Sequence, residues 1–399
     1  VRLVLYTGKG GVGKTTTAAA TAICAAERGV RTLVVSSDVA HSLGDVLERE
    51  LTGTPSRLTP TLDAMEIDAR TEINRHYGTI REYLVELFRY QGIDEVVADE
   101  LALFPGAEEV TALLAVEEAA RSGRYDFVVV DCAPTGSTLR LISLPDMLTG
   151  VLRVVPALAR MLSTVVSPIA QAVLSAPIPR KPVFRDLEKL VDSSARQLRR
   201  RLSQRETSVR IVATPERMVI DEARRAHLEL SLFDLGCDAV VMNRLLPESA
   251  GREEFFRARW STQIERHREL EDLFAPVRVV DAPLQRDEVT GLEALAAHGR
   301  QIFASLEPHG ILSEPARIRF TRKGSGHHVH LPLPGASPED IEVTLVDDEL
   351  IVRAGSRRRA IPLPPRIARL SLESARLEDG TLLVSFSGRA SGRAPREAP

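Results

Sequence analysis

Cysteine is scarce in this chain. Its 399 residues include only Cys24, Cys132 and Cys237, far apart and without a CxxC pair. That excludes a disulfide framework and a cysteine-only zinc or iron–sulfur site within one chain, and it suits a reducing, cytoplasmic setting. An excess of charge of either sign is also missing. The net charge is −3, so nothing demands nucleic acid or an anionic membrane as partner. A long apolar run is missing too. The stretch from Met161 to Pro179 carries no charge but is broken by Ser163, Thr164, Ser167, Pro168, Gln171 and Ser175. Membrane spans need roughly 20 apolar residues, so no integral span is expected. No signal peptide is expected either, because the first apolar stretch runs straight into a glycine-rich turn. Low aromatic content, 4%, says little about function.

That turn is Gly8-Lys9-Gly10-Gly11-Val12-Gly13-Lys14-Thr15. It follows Leu3-Val4-Leu5-Tyr6 and opens an Ala/Thr-rich stretch, Thr16 to Glu27, that reads as a helix. Strand, glycine loop and helix are the setting of a P-loop. Glycines let backbone N–H groups turn inward around phosphate oxygens, and the helix N-terminus adds roughly half a positive charge there. Lys14 would reach the β- and γ-phosphates, and the Thr15 hydroxyl would ligate magnesium. The alternative, a flexible glycine turn, leaves both flanks unexplained. The lysine straight after the first glycine, Lys9, resembles the deviant P-loop of partitioning ATPases, the nitrogenase iron protein and the arsenite-pump and tail-anchored-protein targeting ATPases. In that form the extra lysine reaches the nucleotide of a partner subunit.

Further along, Arg31 to Ser37 reads as a strand leading to Asp38. Strand carboxyl ends carry the functional groups of open α/β sheets, so Asp38 would face the phosphate; it could equally cap the short helix after it. A strand is expected at Met65–Ala69, and helices over Glu72–Tyr90 and Glu108–Ser122. Tyr125 to Val130 is a buried parallel strand ending in Asp131, the position of a magnesium-holding acid acting through water. The turn Pro134-Thr135-Gly136 behind it suits a segment that rearranges when the γ-phosphate leaves.

Together these segments resemble the arsenite-pump/tail-anchored targeting ATPases. Asp38-Val39-Ala40-His41-Ser42-Leu43 is similar to their first switch, D-P-A-H-S-L, and Asp131 to Arg140 to their second, D-T-A-P-T-G-H-T-L-R. Val39, Cys132 and Ser137 depart from those patterns, Ser137 by removing an imidazole. The resemblance runs to about Phe303. It includes Ala213-Thr214-Pro215-Glu216, the strand Val240 to Leu246 whose Asn243 would recognise adenine, and Asp281 to Gly291, which fits the adenine loop containing Pro283 and Leu284. It implies an ATP site formed by Gly8, Lys9, Gly10, Gly11, Val12, Gly13, Lys14, Thr15, Thr16, Asn243, Pro283 and Leu284. Magnesium would sit on Thr15 and near Asp131, with Asp38, Lys9 and Lys14 as catalytic groups of a homodimer. The intersubunit zinc pair of the eukaryotic targeting factors is absent before Ala258-Arg259-Trp260, and so is a counterpart of the arsenite pump's cysteine triad.

Two more stretches bear on use. In the family, the region matching Leu141–Pro179 lines a hydrophobic client groove, a reading preferred here over ordinary core helices. From Arg317 the pattern becomes short alternating strands broken by Pro and Gly, a β-sandwich. Leu331 to Ile341, Asp347 to Val352 and Glu378 to Val384 resemble small heat-shock (α-crystallin) domains. His328 and His330 share a strand face, but no other ligand is in view, so exposed strand histidines are preferred to a metal site.

The expectation is therefore a doubly wound, mostly parallel α/β P-loop fold over residues 1–308, with an apolar helical subdomain at about 141–180. An all-β sandwich follows over 312–388, then a disordered tail, 389–399. The expected activity is magnesium-dependent ATP hydrolysis coupled to hydrophobic client segments or a membrane-protein partner. Energising arsenite efflux, or serving as a nucleotide-regulated scaffold, are the alternatives. The sandwich would either hold clients beside the ATPase, raising their effective concentration, or dock on it as a lid or prop.

Overall fold

Strands that are apolar at every position and strands that alternate obey different burial rules, and both kinds occur here. In the computed structural model, residues 1–37, 42–67, 107–132, 196–324 and 326–388 are described, with a few isolated positions between 78 and 94. The first part is β1 (Arg2–Thr7), α1 (Lys14–Glu27), β2 (Thr32–Ser36), α2 (Ser42–Leu47), β3 (Ser56–Thr59), β4 (Leu62–Glu66), α3 (Ala107–Arg121) and β5 (Phe127–Asp131). It continues with α4 (Arg196–Leu202), β6 (Thr207–Ala213), α5 (Arg217–Leu232), β7 (Cys237–Leu245), α6 (Glu254–Phe274), β8 (Arg278–Pro283) and α7 (Gly291–Ile302). The strands form one eight-stranded sheet in the order β3-β4-β2-β5-β1-β6-β7-β8. Every pairing is parallel except the edge hairpin of β3 with β4.

Strands β2, β4, β5 and β6 are buried at every position, as a parallel sheet covered on both faces requires. The helix expected at Glu108–Ser122 is α3. The strand expected at Met65–Ala69 runs instead over Leu62–Glu66. Its start is hidden in the sequence by Asp63, a buried carboxylate that accepts from Tyr125 Oη at 2.7 Å and pairs with Arg57 and Arg124. Residues 68–70 and most of Glu72–Tyr90 lie outside the described residues.

A second buried polar group closes the amino edge of the sheet. Asp238 pairs with Arg2 at 2.7 Å and Arg210 at 3.3 Å, and accepts from Leu312 N. Arg210, fully buried, also donates to the carbonyls of Pro308 and Gly310. A buried ion group is tolerated only when its donors are used, and this one uses them to seat the connecting chain.

The alternating strands come next: β9 (Arg319–Lys323), β10 (Gly326–Pro332), β11 (Ile341–Val346), β12 (Glu349–Ala354), β13 (Arg357–Pro362), β14 (Ser371–Glu378) and β15 (Thr381–Ser387). They form two antiparallel sheets, β14-β15-β10-β9 and β11-β12-β13. Left-handed Asp347 and Asp379 turn the chain into β12 and β15.

The core of this sandwich includes Leu232 of α5, with Leu228 and Phe233 packed against it. Arg359 is buried, donates to Leu232 O and lies over the Phe233 ring. Arg357 pairs with Glu229 at 2.8 Å. Arg317 donates to the carbonyls of Leu202, Gln204, Thr207 and Asp234. All these contacts lie at the amino edge of the parallel sheet, so the sandwich is docked away from the glycine loop.

Candidate nucleotide site

The loop Gly8–Gly13 leaves the carboxyl end of β1, where two backbone positions admit only glycine. At Gly8 (φ 150°) a Cβ would fall 2.3 Å from Val212 O of β6, and at Gly13 (φ 92°) 2.3 Å from Asn243 Nδ2 of β7. Around Gly10 and Gly11 the space is open. The loop is thus clamped from behind and bare in front, which is what a phosphate cradle needs.

The start of α1 is fastened to this loop. Thr17 Oγ1 donates to Gly13 O at 2.7 Å, and Thr21 Oγ1 meets Tyr6 Oη at 2.6 Å. The Lys14 ammonium, largely buried, folds back to Lys9 O at 3.3 Å. Lys9 is half-buried. Thr15 Oγ1 lies 3.1 Å from Ser42 Oγ, the first residue of α2.

Asp131 ends β5 opposite Tyr6 of β1 and Ser36 of β2, 1% exposed, and its carbonyl accepts from Ser37 N. It therefore sits beside the last turn of chain before the loop. Asn243 donates through Nδ2 to Val12 O, and its Oδ1 accepts from Arg244 N, both at 2.8 Å. Pro283 ends β8 and Leu284 follows it on the same edge, where Leu284 N donates to Leu245 O. Thr214 Oγ1 donates to Glu216 just before α5. The structure thus gathers Gly8–Thr15, Asp131, Asn243, Pro283 and Leu284 on one edge. Asp38, with 39–41, the second switch beyond Cys132, and Leu141–Pro179 lie outside the described residues.

Two carboxylates at this edge escaped the sequence reading. Glu66 ends β4 opposite Ser36, in line with Asp131, and its Oε1 accepts from Gly44 N at 2.8 Å. Glu48, at the end of α2, accepts from Thr290 Oγ1 at 3.0 Å, where α7 begins. Helix α2 is therefore held at three points: Thr15, the sheet end and the start of α7. The correct start of β4 would have revealed Glu66 as a strand-terminal acid; nothing local marks Glu48.

The edge fits a magnesium nucleotide. Hydroxyl and carboxylate oxygens are the donors that magnesium takes, the bare loop front suits phosphate, and Lys14 supplies the charge. It does not fit a thiolate metalloid site. Cys24, Cys132 and Cys237 are all buried, on α1, β5's end and β7. Burial also pushes the Cys237 thiol far above its ordinary range. Among the described residues, no group of three or more His, Cys, Asp or Glu is placed to hold a metal, and His328 Nδ1 and His330 Nε2 hydrogen-bond with Ser385 and Thr321. No described helix is long and apolar enough to cross a membrane.

Comparison with known proteins gives two family matches along the chain. The family described as "Anion-transporting ATPase" matches residues 1–304, and the "HSP20-like domain found in ArsA" matches residues 324–386. The chain is 33% identical over 396 residues to the "Putative arsenical pump-driving ATPase 1" of Aquifex aeolicus, covering 97% of this chain and 100% of that protein. It is 33% identical over 399 residues to the "Putative arsenical pump-driving ATPase" of Chlorobaculum tepidum, 98% of each. It is 29% identical over 331 residues to the "ATPase ASNA1 homolog" of Trypanosoma cruzi, 76% of this chain and 90% of that protein.

Proposed function

The chain belongs to the anion-transporting ATPase family, and from that premise we propose that it is a homodimeric, magnesium-dependent ATPase that handles hydrophobic protein segments. One observation carries the chemistry: a loop bare in front and clamped behind, with Lys14, Thr15 and Asp131 around it on one sheet edge.

Loop amides and Lys14 hold the β- and γ-phosphates. The Thr15 hydroxyl and Asp131, the latter through water, would hold magnesium, with Ser42 beside Thr15. The metal would supply positive charge against the phosphates. Asp38 orients the attacking water, which requires position rather than a strong base. Lys9 of the partner subunit supplies the last positive charge, as an arginine finger does. Asn243, Pro283 and Leu284 receive the base, for which the Asn243 amide must turn from Val12 O.

Leu141–Pro179 is the proposed client surface. Metalloid efflux is the weaker reading, despite the names of two relatives, because the cysteines are buried on separate elements. The test is steady-state hydrolysis with and without magnesium, arsenite or an apolar helical peptide. Stimulation by the peptide and none by arsenite is expected. Arsenite stimulation would overturn the client reading, and turnover without magnesium would overturn the chemistry. Lys9→Ala should bind ATP and lose about 10³-fold in turnover.

A further inference from the structure

The loop that joins β8 to α7, and that would receive the base, is tied at its two ends. At its start, Leu284 N donates to Leu245 O, and Gln285 Nε2 donates to Pro283 O at 3.1 Å and to Gln301 Oε1 of α7 at 2.9 Å. Arg286, Asp287 and Glu288, in its middle, are exposed. At its end stands Thr290, the residue just before α7. Its hydroxyl does not cap that helix but donates to Glu48 Oε1 at 3.0 Å. Glu48 Oε2 lies over Gly291 (φ 75°), where a Cβ would fall 3.1 Å from it.

Glu48 occupies a position that its backbone does not favour. It follows α2 in a left-handed conformation, φ 53°, where helices commonly end on glycine and a side chain is strained. The turn there is closed by Glu48 N to Asp45 O at 3.1 Å and Arg49 N to Gly44 O at 3.0 Å. Glycine would make both bonds equally well, so the turn itself does not call for a carboxylate. The support beneath it is firm. Leu43 and Leu47 of α2 are buried, Glu66 Oε1 accepts from Gly44 N at 2.8 Å, and Ser42 Oγ lies 3.1 Å from Thr15 Oγ1. Glu48 is therefore held out towards the base loop from a helix seated beside the phosphate loop.

A loop that is ordered before its ligand arrives loses less freedom on binding, and that difference appears as affinity. On the premise of the nucleotide site proposed above, we infer that Glu48 is a positioning residue for the base. It holds the far end of the loop carrying Pro283 and Leu284, and so raises affinity for the base without touching the phosphates.

The experiment is calorimetric titration of the full chain with a non-hydrolysable ATP analogue and with tripolyphosphate, which carries the phosphates and no base. Glu48→Gly suits the left-handed turn and should melt close to the parent. It should bind the analogue about three- to tenfold more weakly and tripolyphosphate like the parent. Thr290→Val removes the same hydrogen bond from the other side and should match it, and the double variant should lose no more than either single one. Glu48→Gln keeps an acceptor oxygen and should recover most of the affinity. Parental affinity for the analogue in Glu48→Gly would overturn the assignment and leave the nucleotide site standing. Equal losses for analogue and tripolyphosphate would also overturn it, because the carboxylate would then support the whole site. A parent that binds the analogue no better than tripolyphosphate would remove the base site itself, and the role of Glu48 with it.

Discussion

The parallel sheet and the C-terminal sandwich solve burial in opposite ways. In the interior of the sheet, Phe127 to Asp131 is buried without interruption. In the sandwich, β15 alternates between buried and half-buried positions, so its flanks remain accessible. Chemistry in the first part is therefore confined to an edge, where loops can vary without touching the core. In the second part, any binding has to use strand flanks. Helix α5 joins the two, with Glu216 at its start on the nucleotide edge and Leu232 at its end inside the sandwich core.

The sharpest break in that comparison is a change at the edge that leaves every core intact. Lys14→Ala should lower ATP turnover by about 10²–10³-fold or more while leaving thermal unfolding nearly unchanged; kinetics and calorimetry on one preparation measure both.

Equal cavities in the two parts come next. Phe127 and Phe386 are each fully buried, and truncation of either to alanine should cost about 3–5 kcal/mol. Phe127→Ala should also abolish nucleotide binding, since its strand leads to Asp131. Phe386→Ala should leave nucleotide binding at the parent level. Denaturant unfolding followed with nucleotide titration separates them, and loss of nucleotide binding by Phe386→Ala would mean that the parts are not distinct.

Within α5, His227 stacks on Phe274 at 4.9 Å, and burial brings its pKa down to about 4. Between the ordinary histidine value, about 6.5, and that lowered value, the unfolded chain binds a proton that the folded chain refuses. Stability should thus fall as pH drops through this window, by about 3 kcal/mol in full. His227→Phe keeps the stacking and should flatten the slope; an unchanged slope would place the acid sensitivity elsewhere.

The smallest effect belongs to the surface. Arg31 and Asp126 pair at 2.6 Å but are both about half exposed. Arg31→Ala should therefore leave a chemical melt nearly unchanged.

The same contrast governs what could be read from residues alone. Gly8–Thr15 and Val128–Asp131 were legible because motif and apolar run both mark them locally. The sandwich strands were legible from alternation and from the Pro and Gly that break it. Glu66 and Glu48 were not, because their roles depend on register and on a helix that begins at Gly291. Arg210 was not, since a lone arginine in Val209–Val212 gives no sign that Asp238 and two carbonyls await it. Nor was the docking: Leu228 and Leu232 would have the same spacing whichever surface they packed against.

The seat of Arg317 has one more consequence. Four carbonyls at the amino edge converge on its guanidinium, so the sandwich cannot swing round to the opposite edge without emptying all of them. Two copies meeting at their nucleotide edges, as proposed, would then keep both sandwiches clear of the contact, so whatever the sandwiches hold would be kept apart from the chemistry.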